Sequence, residues 1–201
     1  MNEDTFHLTR HGETVNNLTK VLNTLEDPLT EFGKHQALEL GVKLKESGFI
    51  YDVVLVSPLL RAQDTAKIIT SELGIGSYET IADLREREFG NMAGVSYDEI
   101  SKMEDILVTP GGITYFLSGE NAETFQELFE RAQRVLKDIQ ENYQGKKVLI
   151  VAHGDIGKML YAAFYERDWK EVLQLFHFRN TDTIVLSKSF NYKDVFLFRE
   201  A

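Results

Sequence analysis

The chain has 201 residues, 43% hydrophobic and 27% charged, with a formal net charge of −10 and no cysteine. That balance belongs to a folded chain of one domain, taken as residues 1–201, and the acidic excess argues against nonspecific nucleic-acid binding. Without cysteine there is no disulfide, no Cys-ligated zinc and no Cys nucleophile, which fits a reducing cytoplasm. The apolar runs Val53–Val56 and Val148–Ala152 are far too short to span a bilayer, and the acidic Met1-Asn2-Glu3-Asp4 with no apolar run behind it does not read as a signal peptide.

In chain order, Thr5 to Thr9 reads as a strand. Leu29 to Ser47 reads as a helix, with Leu38, Val42 and Leu44 at helical spacing and Gly48 as a stop. Val53 to Ser57 is a buried β-branched strand, and Arg61 to Leu73 a helix ended by Gly74. Tyr78 to Ile81 is a third strand and Tyr97 to Asp105 a short helix. Leu107 to Asn121, with Pro110-Gly111-Gly112 inside it, reads as a long loop. Asn121 to Asn142 is a long amphipathic helix, Lys147 to Ala152 a buried strand and Ile156 to Tyr165 a helix. Thr183 to Ser187 and Val195 to Phe198 close the chain as strands. Alternation of strand and helix predicts an α/β fold: a three-layer α/β/α sandwich on a mostly parallel sheet, with at least one of the last two strands as an antiparallel edge strand.

Three of these strands run into related chemistry: Thr9-Arg10-His11-Gly12-Glu13-Thr14, then Ser57-Pro58 with Arg61 a turn later, then Ala152-His153-Gly154. In open α/β sheets ligands bind at the carboxyl ends of the strands, so Arg10, His11, Arg61 and His153 should converge on one rim. Two Arg and two His in one crevice make an anion site, since guanidinium forks match phosphate oxygens. The glycines after each His would let a backbone amide approach the same anion. A neutral His is a competent phosphoryl nucleophile, and the flanking cations would neutralise the transferring oxygens with no metal or cofactor required. The proton for the leaving group is sought in Leu84-Arg85-Glu86-Arg87-Glu88-Phe89-Gly90. A carboxylate facing a phosphate should have a raised pKa, which would make Glu86 a general acid and then a general base.

Leu8-Thr9-Arg10-His11-Gly12-Glu13-Thr14 resembles the phosphohistidine signature of the histidine phosphatase superfamily, whose members include cofactor-dependent phosphoglycerate mutase. Asp27-Pro28-Leu29-Thr30-Glu31-Phe32-Gly33, Ser57 through Ala66, Leu84 through Gly90 with Ala93-Gly94, and Val151-Ala152-His153-Gly154 follow in the family's order, between about positions 7 and 187. The resemblance implies a phosphoglycerate mutase-like fold with His11 as nucleophile and Glu86 as acid. It implies phosphate binding by Arg10, Asn17, Arg61, His153 and Gly154. Gly119-Glu120-Asn121 stands where Gly-Glu-Ser is common, and Lys158 where Arg is frequent. The compact length is more similar to the phosphatase members than to the longer mutases.

Other residues have plainer readings. The Arg85–Glu88 run suits a solvated segment, and Glu88 rivals Glu86 as the acid. Glu13 reads as orienting an Arg or capping a helix. His7 lies about 13 Å from His11 along a strand, too far to share an ion, and is taken as packing. His35 and His177 default to surface or satisfied core. The series Phe125, Phe129, Phe164, Tyr165, Trp169, Phe176 and Phe178 suits the core, whereas Tyr115 and Phe116 either contact a ligand or pin their loop.

The resulting expectation is a phosphatase acting on a small-molecule phosphate monoester, without nucleic-acid or membrane partners, as a monomer or homodimer. The alternatives are a mutase, which would want basic residues in its lid, and a non-catalytic phospholigand-binding module. The segment Leu107–Asn121 contains no Lys or Arg; Lys102 stands just before it.

Overall fold

The computed structural model describes residues 5–189 and 196–199. Its main sheet has six strands: β1 (Thr5–Arg10), β2 (Val53–Val56), β3 (Glu79–Thr80), β6 (Val148–Ala152), β7 (Thr183–Ser187) and β8 (Phe196–Phe198). Their order is β3-β2-β6-β1-β7-β8. The first four run parallel; the antiparallel strand is β7, one of the last two as expected but lying one in from the edge, which β8 takes by pairing antiparallel to β7. Val195, read as the start of the last strand, lies outside the described residues.

Because side chains alternate along a strand, each buried strand feeds two cores. Phe6 and Leu8 of β1, Val148 and Ile150 of β6 and Ile184 and Leu186 of β7 pack with α5 (Phe125–Asn142), α6 (Gly154–Phe164) and α7 (Trp169–Leu175). Val54 and Val56 of β2 and Leu149 and Val151 of β6 pack with α2 (Glu31–Glu46) and α3 (Leu60–Leu73). The result is the expected three-layer α/β sandwich. Among the described residues no helix is long and apolar enough to cross a membrane.

Several boundaries differ from expectation. The supposed loop contains a hairpin, β4 (Ile106–Val108) against β5 (Thr114–Phe116). Thr109 closes its turn, taking the Ile113 amide on Oγ1 at 3.0 Å and the Gly112 amide on its carbonyl at 2.9 Å. The Pro-Gly-Gly turn is what hides two three-residue strands from a pattern reading. The short helix is only α4 (Tyr97–Ile100), opened by a Ser96/Glu99 capping box. The long helix starts at Phe125 rather than Asn121, where Thr124 and Glu127 form another capping box. α1 (Val15–Thr19) and α7 escaped the sequence pattern because five and seven residues are too short for a clear helical period.

Candidate active site

Strands β2, β6 and β1 are neighbours, so their carboxyl ends form one rim. Pairing continues past the strands: the His11 amide donates to Ala152 O at 3.0 Å and the Ser57 amide to Val151 O at 3.0 Å. His11 and His153 thereby face each other with ring centroids 5.1 Å apart. Arg10 precedes His11, and Arg61 enters from the first turn of α3. His11, His153 and Arg61 are all buried.

His11 has a defined tautomer. Its Nδ1 lies 2.7 Å from the carbonyl of Gly12, and only a protonated nitrogen can donate there. The lone pair is therefore on Nε2. Burial, then the charges of Arg61 and Arg10, hold this imidazole well below its ordinary value, so it is neutral. His153 is held down likewise by burial, Arg61, His11 and Arg10. Its Nε2 lies 2.6 Å from Ser57 Oγ. That oxygen accepts the Leu59 amide at 3.3 Å, leaving the Ser57 hydroxyl hydrogen for His153 and placing the histidine's own proton on Nδ1.

Four buried side-chain nitrogens have no hydrogen-bond partner among the described residues; Arg87 Nε has the Asp155 carboxylate 3.1 Å away as an ion pair, and the other three, His153 Nδ1, Arg10 Nε and Arg61 Nε, belong to the rim. The two guanidinium groups are otherwise anchored, Arg10 Nη1 to Phe178 O at 2.9 Å and Arg61 Nη1 to Thr24 O at 3.0 Å. Burial also pushes Arg61 down to about 10, still cationic near neutrality. Buried N–H groups without acceptors are costly, and a cluster of them on two guanidinium groups and a neutral imidazole is a donor set that an oxyanion satisfies.

The two glycines differ from expectation. The Gly12 amide is occupied by Thr65 Oγ1 at 3.1 Å. Gly12 is required instead by close approach, since a Cβ there would lie 2.3 Å from Gly33 O. Gly154 does border the site: a Cβ on it would lie 3.7 Å from both Arg10 Nε and Glu86 Oε2.

Glu86 is placed by its backbone neighbours. Its carboxylate accepts the amides of Arg87 (3.0 Å), Asp155 (3.1 Å) and Ile156 (3.0 Å), so it sits on the amino end of α6 beside Arg10. The rival Glu88 points outward to Arg85 Nε at 3.1 Å. The charged run is thus not a solvated segment throughout. Arg87 is buried, paired through Nε with Asp155 at 3.1 Å and held 4.0 Å from the ring centroids of both Phe116 and Phe125. Arg131, on α5, clamps the same segment from below. Its guanidinium donates to the carbonyls of Asp83 (2.7 Å), Arg85 (2.8 Å) and Glu86 (3.2 Å) and to both carboxylate oxygens of Glu123.

Asn17 lies near His11 through an intermediary. Asn180 Nδ2 donates to His11 O and to Asn17 Oδ1, both at 3.0 Å. Glu13 accepts from Thr30 Oγ1 at 2.8 Å, the residue that caps α2, and so belongs to a helix cap. His7 is a packing residue as read, its Nδ1 2.6 Å from Tyr51 OH. His35 is exposed, with Glu39 3.4 Å away.

Beside the rim opens a pocket of about 400 Å³ that reaches Arg10, Glu86 and Gly154. Its apolar lining comes largely from Tyr97, Ile100, Ile113, Tyr115 and Phe116, on α4 and the hairpin. Tyr115 therefore faces the pocket while also packing on Phe125, with ring centroids 5.7 Å apart. Lys158, Asp155 and His177 add polar groups. Sequence reasoning missed Ser57 as a histidine partner, along with Arg131 and Asn180, whereas Lys158 stood out in the sequence as a departure from the family pattern in a region that shapes substrate choice. Of those missed, only Ser57 carried a local signal, by its place at a strand end.

A two-histidine, two-arginine anion site on the carboxyl rim of an α/β sheet defines a class of phosphoryl-handling enzyme. The family model described as histidine phosphatase superfamily (branch 1) matches residues 6–195, and the chain belongs to that superfamily. It is 37% identical over 148 residues to an uncharacterized phosphatase, PhoE, of Bacillus subtilis, covering 73% of this chain and 70% of that protein. It is 32% identical over 182 residues to a 2,3-bisphosphoglycerate-dependent phosphoglycerate mutase of Parvibaculum lavamentivorans, covering 84% and 83%. Among solved structures it is similar to Bacillus stearothermophilus YhfR, with TM-score 0.74 and 28% identity over 90% of this chain and 89% of that one. It is also similar to a phosphoserine phosphatase of Entamoeba histolytica in complex with 3-phosphoglyceric acid, with TM-score 0.75 and 25% identity over 90% and 89%.

Proposed function

We propose that the protein is a metal-independent phosphatase that hydrolyses phosphate monoesters of small metabolites through a phosphohistidine on His11. The observation that carries this reading is the set of three buried donors without protein acceptors, on Arg10, Arg61 and His153, around an imidazole whose lone pair is on Nε2. The ester phosphate takes those donors. His11 Nε2 attacks phosphorus as the bond to the ester oxygen breaks, and Glu86, as general acid, gives a proton to the leaving oxygen. The alcohol departs. Water then attacks phosphorus as the phosphorus–nitrogen bond breaks, losing a proton to Glu86, which frees phosphate and returns the lone pair to His11 Nε2. The Arg pair neutralises charge on the equatorial oxygens in both transfers, and His153 donates a hydrogen bond to them. Asn17 and Gly154 complete the phosphate cradle. The cysteine-free composition fits work in a reducing cytoplasm.

A mutase reading draws on the relatives named as phosphoglycerate mutases. Against it stands the hairpin over the pocket, which has no Lys or Arg to hold a second phosphate. The test is turnover of an aryl phosphate and a panel of metabolite monoesters in excess chelator, with His11→Ala in parallel and radiolabelled phosphate trapped by denaturation. Chelator-resistant hydrolysis and label on His11, both lost in the variant, are expected. Turnover only after priming with a bisphosphate would establish the mutase, and no transfer at all the binding module.

A further inference from the structure

The pocket beside the phosphate site holds a lysine that the reaction above does not use. Lys158 is buried yet lines the pocket. Its ammonium donates to Leu173 O at 2.8 Å, and Tyr115 and Phe176 turn ring faces to it at 5.3 and 5.2 Å. An ammonium has three N–H groups, and an aromatic face is a weak acceptor beside an oxygen. Lys158 is one helical turn beyond Gly154 on the same face of α6, a rise of about 6 Å, and Gly154 borders Arg10 and Glu86. Lys158 therefore lines the same pocket as Arg10, Glu86 and Gly154. The space between is walled by Tyr97, Ile113, Tyr115 and Phe116.

Resting on the phosphatase reading, we propose that Lys158 is a specificity-determining residue that selects monoesters whose leaving alcohol has a flat apolar body ending in a carboxylate. The acidic groups near it do not fill that role. Asp155, on its own helix, is engaged by Arg87, and Glu86 by the amino end of α6. Arg10 from β1 faces the lysine as a like charge, and His177, beyond α7, is held to about 4 by burial and is neutral. Burial, opposed by Asp155 and reinforced by Arg10, sets Lys158 itself at about 8. A carboxylate at this point gains a charge-assisted hydrogen bond that a neutral alcohol cannot make.

The test compares 4-carboxyphenyl phosphate with phenyl phosphate, which differ only in the carboxylate. The native protein should favour the carboxylated ester in kcat/KM, chiefly through KM. Lys158→Met should remove roughly 10- to 100-fold of that preference, read as the ratio of the two kcat/KM values. Lys158→Arg should restore part of it. In the native protein the preference should also decline above about pH 8, a readout that needs no variant. Equal kcat/KM for the two esters in the native protein, or an unchanged ratio in Lys158→Met, would overturn the inference and leave the phosphatase reading intact. Failure to hydrolyse either ester would overturn the phosphatase reading and this inference with it.

Discussion

The Ser57 hydroxyl stands 2.6 Å from His153 Nε2 and fixes which nitrogen of that ring faces the anion site. Since Ser57 Oγ already accepts the Leu59 amide, its own hydrogen is directed to the imidazole. Ser57→Ala should let His153 adopt the other tautomer or tilt. One neutral hydrogen bond is worth about 1 kcal/mol, so kcat should drop roughly five- to tenfold with KM nearly unchanged. Steady-state kinetics check this, and a loss confined to KM would contradict the assigned role.

Glu86, held on the amino end of α6, is proposed to protonate the leaving oxygen. An alkyl leaving group needs that proton far more than a nitrophenolate does. Glu86→Gln should therefore slow hydrolysis of an alkyl phosphate by about 100-fold or more, and of 4-nitrophenyl phosphate by much less. A plot of rate against leaving-group pKa would become steeper in the variant. Equal losses across the series would remove Glu86 from the role.

Arg131 ties α5 to the segment that carries Glu86, using three carbonyls and the Glu123 carboxylate. Replacement by Met would strand a nearly buried carboxylate and three carbonyl acceptors. The expected loss is about 3–5 kcal/mol, seen as a fall in Tm of roughly 10 °C. Arg131→Lys should recover only part of it, because an ammonium cannot span both sides of the fork. Thermal denaturation followed by circular dichroism decides the point.

His7 offers a pH-dependent contribution to stability. Burial holds it at about 4, against 6.5 for an exposed imidazole. Between those values the unfolded chain binds a proton that the folded chain refuses. Its contribution is therefore complete above about pH 6.5 and is lost as the pH falls toward 4, by up to about 3 kcal/mol. The buried His11 and His153 act in the same direction. His7→Gln should flatten the stability profile over this window relative to the native protein. Urea denaturation at a series of pH values measures the difference in slope, and parallel profiles would refute the assignment.

Much of this molecule was legible in the chain. The β-branched runs at Val53–Val56 and Val148–Ala152 mark central strands, because a strand buried on both faces has no polar side to show. The motifs at their ends place His11, Arg61 and His153 on one rim, because parallel neighbours must finish on the same edge. Those features depend on local pattern and on a topological rule, and a sequence carries both.

The tertiary structure alone decided the rest. The charged run Arg85–Glu88 does not itself show which carboxylate turns inward; the amides of Asp155 and Ile156, some seventy positions away, hold that of Glu86 beside the rim. Arg87 and Arg131 look like surface charges until aromatic rings and distant carbonyls are brought around them. Asn180 touches His11 only after the last helix returns the chain to β1. The pocket takes its shape from a hairpin whose strands are too short to show a period. A local pattern fixes which way a residue faces within its own element, whereas a partner remote in sequence is fixed only when the elements pack.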